Sequence, residues 1–420
     1  MKNSTSTINH KKQILMALLT LMFFGSLQAR KYEANTNLQA SKILPANLLK
    51  SDLYQIDETV ANDGYINTYT IHSDFGDFTA YGLTLLKIRL HEIKAIHEIE
   101  KVKKSHIYID AAANTIILPF KAVVVFAKNP VKTVKGVPAG VGRMFKGFGR
   151  TAKSLFKKPK HNNGNTKNST LNKAKKYAEK FMGVTSSQRK WAKKLSVDPY
   201  SSNQVLQKKL DEVAKVDATA NFSAGLFLPG IGAFNIVAST SNLAWKFSAE
   251  ELRAQNFKHL QNQGVDKKII ENFLNNDMFS PTLQTVIVAS LLDMEGVKNR
   301  SIVLEKSSWA DSEEMAFFFT DTVRMLSEFH RTQMAFTSLI GEGAIMGAIT
   351  KNNRLIYALP IDHLLWSKDF AVLFKDEKKQ KTTKNEFWLR GTASTKAVKE
   401  LKKIGWLVQQ KVKENQASKY

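Results

Sequence analysis

The residues most capable of chemistry in this sequence are cations placed beside aromatic and aliphatic side chains. Residues 129–168 contain no Asp or Glu. Between positions 141 and 158, basic residues recur every three or four positions and apolar residues fall on the opposite side, the pattern of an amphipathic helix. Such a helix lies in a lipid interface with its cations toward the headgroups. The predicted membrane- or anion-binding residues are Lys128, Lys132, Lys135, Arg143, Phe145, Lys146, Phe148, Arg150, Lys153 and Lys157.

This segment is a poor helix in water, so we expect it to become ordered on binding. Gly142, Gly147 and Gly149 each cost about 1 kcal/mol relative to Ala, and isolated helices this short are marginal. Each Lys or Arg near an anionic surface contributes up to about 1 kcal/mol, so eight cations set an upper bound of about 8 kcal/mol. In composition the segment resembles cationic amphipathic peptides that act on bacterial membranes. One alternative is that its Phe face packs on the protein's own core and its lysines are simply solvated. Another is that the segment serves only solubility or is a linker.

No catalytic or cofactor motif is complete. The stretch GVGRMFKGFG has Phe148 where a phosphate-binding loop requires Lys. The stretch GEGAIMG has Met346 where the dinucleotide fingerprint needs its third Gly. His91 and His97 are six residues apart, not the four that place two zinc ligands on one helix face, and we interpret both as a solvated helix edge. No cofactor and no metal ion are therefore expected.

Two pairs of residues have acid–base chemistry if the fold brings a third group to them. These are Asp362 with His363, and His72 with Asp74 beside a predicted turn. The simpler interpretation of each pair is a local role in a turn or an edge strand. Tryptophans in the last third of the chain either line a glycan or peptide groove or, by default, pack in the core. They are Trp309, Trp366, Trp388 and Trp406.

The first 29 residues predict an export signal. A basic start ends at Lys11 and Lys12, an uncharged apolar run covers residues 14–24, and small residues lead to Ala29. This is the layout of a secretory signal peptide, and the run is shorter than the roughly 20 residues of a membrane-spanning helix. The chain has no cysteine, which excludes disulfides and thiol catalysis. A large exported protein without disulfides is common in bacterial envelopes.

The charge is strongly segregated along the chain. The 420 residues include 62 Lys and Arg against 37 Asp and Glu, a net charge of +25. Residues 121–194 hold 20 of the basic residues and one acid, Glu179. A balance this basic predicts an anionic partner. Because export removes the protein from nucleic acid, we expect that partner to be an anionic lipid or an envelope polymer.

Periodicity and turn residues predict the elements. An uncharged stretch at 218–245 is either a buried helical hairpin or a segment that associates with lipid. The other predicted elements are a hairpin over 64–82 turning at 74–76, a helix over 83–104, strands over 106–128, basic helix over 171–195, a helix after a cap at 201–203, a strand at 301–306, a helix over 310–331, a hairpin over 344–360 turning at 352–353, and a strand–helix–strand over 386–408.

Together these patterns predict an α+β fold with a helix-rich centre, a small N-terminal β-hairpin/helix unit and a C-terminal mixed α/β domain. The predicted divisions are a signal peptide (1–29), a small α+β domain (30–127), a basic, Gly-rich connector and linker (128–195) and a helix-rich α+β domain (196–420). We expect a non-enzymatic binding or scaffold protein of the periplasm or cell envelope, associated peripherally with the membrane. The alternative is a secreted hydrolase or glycan-processing enzyme with its site in the C-terminal domain.

Overall fold

The computed structural model describes residues 31–104, 166–216, 238–343, 345–373 and 382–412. The chain divides into two units, Met1–Ala34 and Asn35–Tyr420. Every described helix and strand belongs to the second unit. Its architecture is mixed α+β, with an antiparallel sheet near the N-terminus and a mixed sheet near the C-terminus. This confirms the predicted fold class.

The N-terminal sheet is antiparallel, in the order β1-β4-β5-β3-β2, with β6 paired to β5. Its elements are β1 (Thr36–Gln39), α1 (Ala40–Ile43), α2 (Ala46–Leu49), β2 (Lys50–Ser51), β3 (Tyr54–Ile56), β4 (Thr59–Asn62), β5 (Asn67–Ser73) and β6 (Phe78–Tyr81). Alternate residues of β5 are buried, as expected for a sheet with one solvated face. The turn between β5 and β6 contains Gly76 at a φ of +114°, which favours glycine. The predicted hairpin is confirmed.

The helix that follows, α3 (Gly82–Lys103), joins two parts of the core. Its first half packs Leu86 and Leu90 against the sheet. Its second half packs Ile96 and Ile99 against a cluster that includes Trp191. The predicted apolar stripe is thus the buried face of one 22-residue helix.

The centre of the chain is helical. Several helices begin at side-chain caps: Thr185 and Ser248 each form a capping box, and Ser280 caps a helix with Pro at its first position. The helices are α4 (Thr166–Phe181), α5 (Ser186–Lys194), α6 (Gln204–Val216), α7 (Ala238–Lys246), α8 (Ala249–Asn262), α9 (Lys267–Leu274), α10 (Pro281–Asp293), α11 (Ser301–Ser307) and α12 (Glu313–Thr332).

The C-terminal sheet has the order β13-β11-β9-β8-β7. Hairpins make β7, β8 and β9 antiparallel, whereas β9, β11 and β13 run parallel. Tyr357, Phe387 and Trp406 stack on its inner face, which supports the core interpretation of Trp406. The elements are β7 (Phe336–Glu342), β8 (Ile345–Thr350), β9 (Arg354–Leu359), β10 (His363–Leu364), α13 (Lys368–Val372), β11 (Lys384–Leu389), β12 (Thr392–Ala393), α14 (Thr395–Lys403) and β13 (Trp406–Gln409).

The Asp362 carboxylate helps to connect the N-terminal sheet to the C-terminal part of the chain. Asp362 Oδ2 accepts a hydrogen bond from the backbone N–H of Asn67 at 2.8 Å, and Oδ1 accepts one from Leu83 at 3.1 Å, in the first turn of α3. Burial raises the pKa of Asp362 to about 6, against the two hydrogen bonds that favour its charged form. The backbone of Gly391 passes close to Asp362, and the backbone carbonyl of Asp362 leaves no room for a side chain at position 391.

The strand predicted at 301–306 is wrong, because this segment is helix α11, which buries Val303, Leu304 and Ser307 along one side. Short apolar runs do not distinguish a strand from a buried helix. The strands predicted over 106–128 and the first part of 218–245 lie outside the described residues, and the domain boundaries stay predictions. Among the described residues, no helix has both the length and the apolar character to cross a bilayer.

We expect Gly391→Ala to reduce the free energy of unfolding by about 3 kcal/mol or more, since the new Cβ would overlap the backbone carbonyl of Asp362. The matched control is Gly183→Ala, where a Cβ would meet open space; we expect a change within about 0.5 kcal/mol. Urea denaturation of both variants measures the difference. Equal stabilities would contradict the close approach.

Candidate functional site

The predicted anion-contacting residues, from Lys128 to Lys157, all lie outside the described residues, so their arrangement stays a prediction. The structure describes the last part of the same basic region in α4 and α5. The predicted basic helix is thus two helices, separated by a link that contains Gly183.

Both helices are anchored by aromatic side chains. Tyr177 and Phe181 of α4 are buried, and the Tyr177 hydroxyl donates to Gln284 Oε1 at 3.1 Å. Trp191 of α5 is fully buried against α3 and α6. The apolar side chains described for each helix are therefore inside the protein, whereas lysines such as Lys173, Lys176, Lys190 and Lys193 are exposed.

Some of the outward lysines are paired and others are not. Lys176 lies 2.9 Å from a carboxylate oxygen of Asp277. By contrast Lys173, Lys190 and Lys193 are exposed and form no ion pair with any described residue. These three lysines are consequently available to an anionic surface.

A cleft lies at the C-terminal end of α4. It is partly enclosed, and its space free of protein atoms, about 740 Å³, includes open solvent at the mouth. Five segments meet there: α3, α4, the α5–α6 loop, the region around the start of α10, and α12. The lining residues are Ile88, Arg89, Glu92, Lys180, Phe181, Asp198, Tyr200, Ser201, Ser202, Met278, Ser280, Thr282, Leu283, Glu313, Phe317, Thr320 and Asp321.

Arg89 organises one side of the cleft. Its side chain is 8% exposed, and Nη1 donates to Glu92 Oε2 at 2.7 Å. Nη2 donates to Ser202 Oγ at 2.6 Å and to both oxygens of Glu313 at 3.2 Å. Although burial alone would lower it, Glu92 and Glu313 raise the pKa of Arg89. The guanidinium is thus held charged in the interior by carboxylates from two helices.

The serines of the α5–α6 loop complete this network. Ser201 donates to Glu92 and Ser202 to Glu313, while Asn203 Nδ2 donates to Glu92 Oε2 at 2.9 Å. Asn203 also caps α6 through its side-chain oxygen, confirming the predicted cap. The hydrogen-bonding capacity of Arg89 is largely used within the protein, so the network shapes the cleft more than it offers donors to a ligand.

Asp198 is the carboxylate in the cleft that has no cation beside it among the described residues. It accepts hydrogen bonds from the backbone N–H of Tyr200 at 2.9 Å and from Thr282 Oγ1 at 2.7 Å. Burial raises its pKa to about 6, and the nearby charge of Glu92 adds to the rise. Asp321, by comparison, is paired with Arg324 at 2.8 Å.

The residues singled out for acid–base chemistry have other partners. His72 lies between Asp57 and Asp77, at 2.9 and 2.8 Å, and both hydrogen bonds raise its pKa. His363 Nδ1 lies 2.7 Å from Thr392 Oγ1. His91 is not on a solvated edge as predicted: it is buried, with Nε2 at 3.0 Å from the carbonyl of Leu195. No group of metal-ligating side chains occurs in the part of the chain that the structure describes.

The cleft was missed by sequence reasoning because its charged residues are spread over more than 200 positions and form no motif. A weak signal existed in Arg89 and Glu92, which occupy the otherwise apolar side of the predicted helix. Comparison with protein-family models, with curated proteins and with solved structures found no match.

Removing the Arg89 charge should destabilise the protein strongly. We expect Arg89→Met to reduce the free energy of unfolding by about 3–5 kcal/mol, because it leaves Glu92 buried without its cation. Lys101→Met, on the same helix, removes an exposed pair with Glu98 and should change stability by less than about 0.5 kcal/mol. Urea denaturation compares the two, and a similar small loss in both would contradict a structural role for the network.

The raised pKa of Asp198 predicts a pH dependence of stability. Its pKa moves from 3.8 to about 6 on folding, so its stabilising contribution is present below about pH 4 and is lost as pH rises through 6. An asparagine side chain does not titrate. The free energy of unfolding of Asp198→Asn, relative to that of wild type, should therefore rise as the pH increases from 4 to 7.5. Unfolding measured at four pH values tests this, and a difference independent of pH would refute it.

Proposed function

We propose that this protein is an exported, non-enzymatic binding protein of the bacterial envelope that attaches to anionic lipid or anionic polymer through its basic region. The observation that carries the proposal is the orientation of α4 and α5. Their aromatic side chains are buried, whereas Lys173, Lys190 and Lys193 face outward without an acidic partner among the described residues. Lysines held outward on a fixed helix form a ready contact for an anionic surface.

The local charge supports this proposal more than the total charge does. Residues 166–194 contain nine basic residues and one acid, and they continue the acid-free stretch 129–168. Each cation close to an anionic surface contributes up to about 1 kcal/mol and fades within a Debye length of roughly 8–10 Å. Helices α4 and α5 would therefore add to the contact made by the amphipathic segment 141–158, whose Phe residues would enter the interface.

Export to the periplasm or cell envelope rests on the signal peptide predicted at residues 1–29. The enzyme alternative gains nothing from Asp362 and His363. Asp362 is engaged by two backbone N–H groups, and His363 by a threonine hydroxyl. A binding role therefore remains the better supported function.

The experiment is sedimentation with vesicles of phosphatidylglycerol and phosphatidylcholine, using the mature protein from residue 30. We expect binding only with phosphatidylglycerol present, and at least tenfold weaker binding after Lys173→Glu, Lys190→Glu and Lys193→Glu are combined. Deleting 141–158 should abolish sedimentation. Long-chain polyphosphate in solution should compete if an anionic polymer is recognised equally.

The matched control reverses three exposed lysines elsewhere: Lys42→Glu, Lys258→Glu and Lys402→Glu. It changes the net charge by the same amount, so it should retain most of the binding if the basic region is the contact. Equal losses in the two triple variants would mean that only the total charge matters. Binding that is indifferent to salt would also contradict the proposal.

A further inference from the structure

The cleft at the end of α4 has the lining of a small-ligand site. Apolar side chains from four of its five segments form the walls, including Ile88, Phe181, Leu283 and Phe317. A ligand that fits must therefore have an apolar body.

The charges in the cleft specify the polar end of such a ligand. Arg89 is neutralised by Glu92 and Glu313 together, which leaves that network with one negative charge in excess. Asp198 adds a further negative charge, from a carboxylate that forms no ion pair with a described residue. The hydroxyls of Ser201 and Ser202 donate to Glu92 and Glu313, and Thr282 donates to Asp198. The cleft therefore offers acceptors and negative charge, but few free donors.

Lys180 offsets part of this excess, because its charge acts on Glu313, but it forms no ion pair with Asp198. It lies at the rim of the cleft, where its Nζ donates to the backbone carbonyl of Asp277 at 2.7 Å. Asp321 is balanced by Arg324 behind it. An anionic ligand would be repelled by the carboxylates of the cleft, whereas a cationic ligand would form an ion pair with Asp198.

We propose that the cleft binds an organic ammonium ion, whose charged nitrogen lies against Asp198 and whose apolar body lies between Phe181, Phe317 and Met278. A buried carboxylate that gains a cation is stabilised in its charged form. Ligand binding and ionisation of Asp198 are consequently linked. Binding should strengthen as pH rises through the titration of this carboxylate.

Other charged groups face Asp198 from the elements around it. They are Arg89 and Glu92 of α3, Lys180 of α4, and Glu313 and Asp321 of α12, while the loop before α10 and α10 itself contribute the hydroxyls of Ser280 and Thr282. Their titration affects wild type and Asp198→Asn alike. The difference between these two proteins therefore isolates the contribution of Asp198 to the pH dependence of binding.

The test uses three probes of equal chain length: n-hexylammonium, n-hexanol and hexanoate. Calorimetry or ligand-observed NMR should show saturable binding of hexylammonium at pH 7.5, with hexanol and hexanoate at least tenfold weaker. The ammonium group stays protonated at pH 7.5 and at pH 5, as a lysine side chain does. Because a group with a pKa of about 6 is mostly neutral at pH 5, hexylammonium should bind about tenfold more weakly there.

Asp198→Asn should lose both the preference for hexylammonium and the pH dependence, whereas Asp211→Asn, at an exposed position on α6, should keep both. If Asp198→Asn does not fold, the wild-type pH dependence and the comparison of the three probes still decide. Equal binding of hexanol and hexylammonium, binding of hexylammonium unaffected by pH, or no binding of any probe would overturn the proposal.

Discussion

The guanidinium of Arg89 joins parts of the chain that are far apart in sequence. It links α3 to the α5–α6 loop and to Glu313 at the start of α12, 224 positions away. A buried charge of this kind is tolerated only when carboxylates and hydroxyls surround it. The positions of Glu92, Glu313, Ser201 and Ser202 are therefore interdependent, and the shape of the adjoining cleft follows from them.

Two partly buried carboxylates stand in contrast to this compensated network. Asp198 and Asp362 accept hydrogen bonds from backbone and hydroxyl groups but lie beside no cation among the described residues, and burial raises the pKa of each to about 6. Asp362 fixes the start of α3 against the C-terminal part of the chain. Asp198 faces the cleft instead. Desolvation thus affects both carboxylates, but Asp362 is used to hold α3 in place, whereas Asp198 remains in the cleft without a cation beside it among the described residues.

Local signals predicted most of the described elements. The β8–β9 hairpin follows from Asn352 and Asn353 at its turn, and α12 from acids at its start and apolar residues along it. The run at 301–306 was wrongly predicted as a strand because its β-branched residues suit either structure, and burial against neighbouring helices decides for α11. His91 was wrongly placed at a solvated edge because its partner, the carbonyl of Leu195, is 104 residues away.

The sequence by itself determined the segregation of charge, the absence of cysteine, the export signal that we predict, and the elements whose caps and turns lie within a few residues of one another. Tertiary structure alone decided which polar residues meet. Arg89, Asp198 and Glu313 come from separate helices and loops, and their proximity depends on how the apolar faces of those elements pack. Packing of this kind is set by many weak, long-range contacts that no short spacing in the sequence encodes.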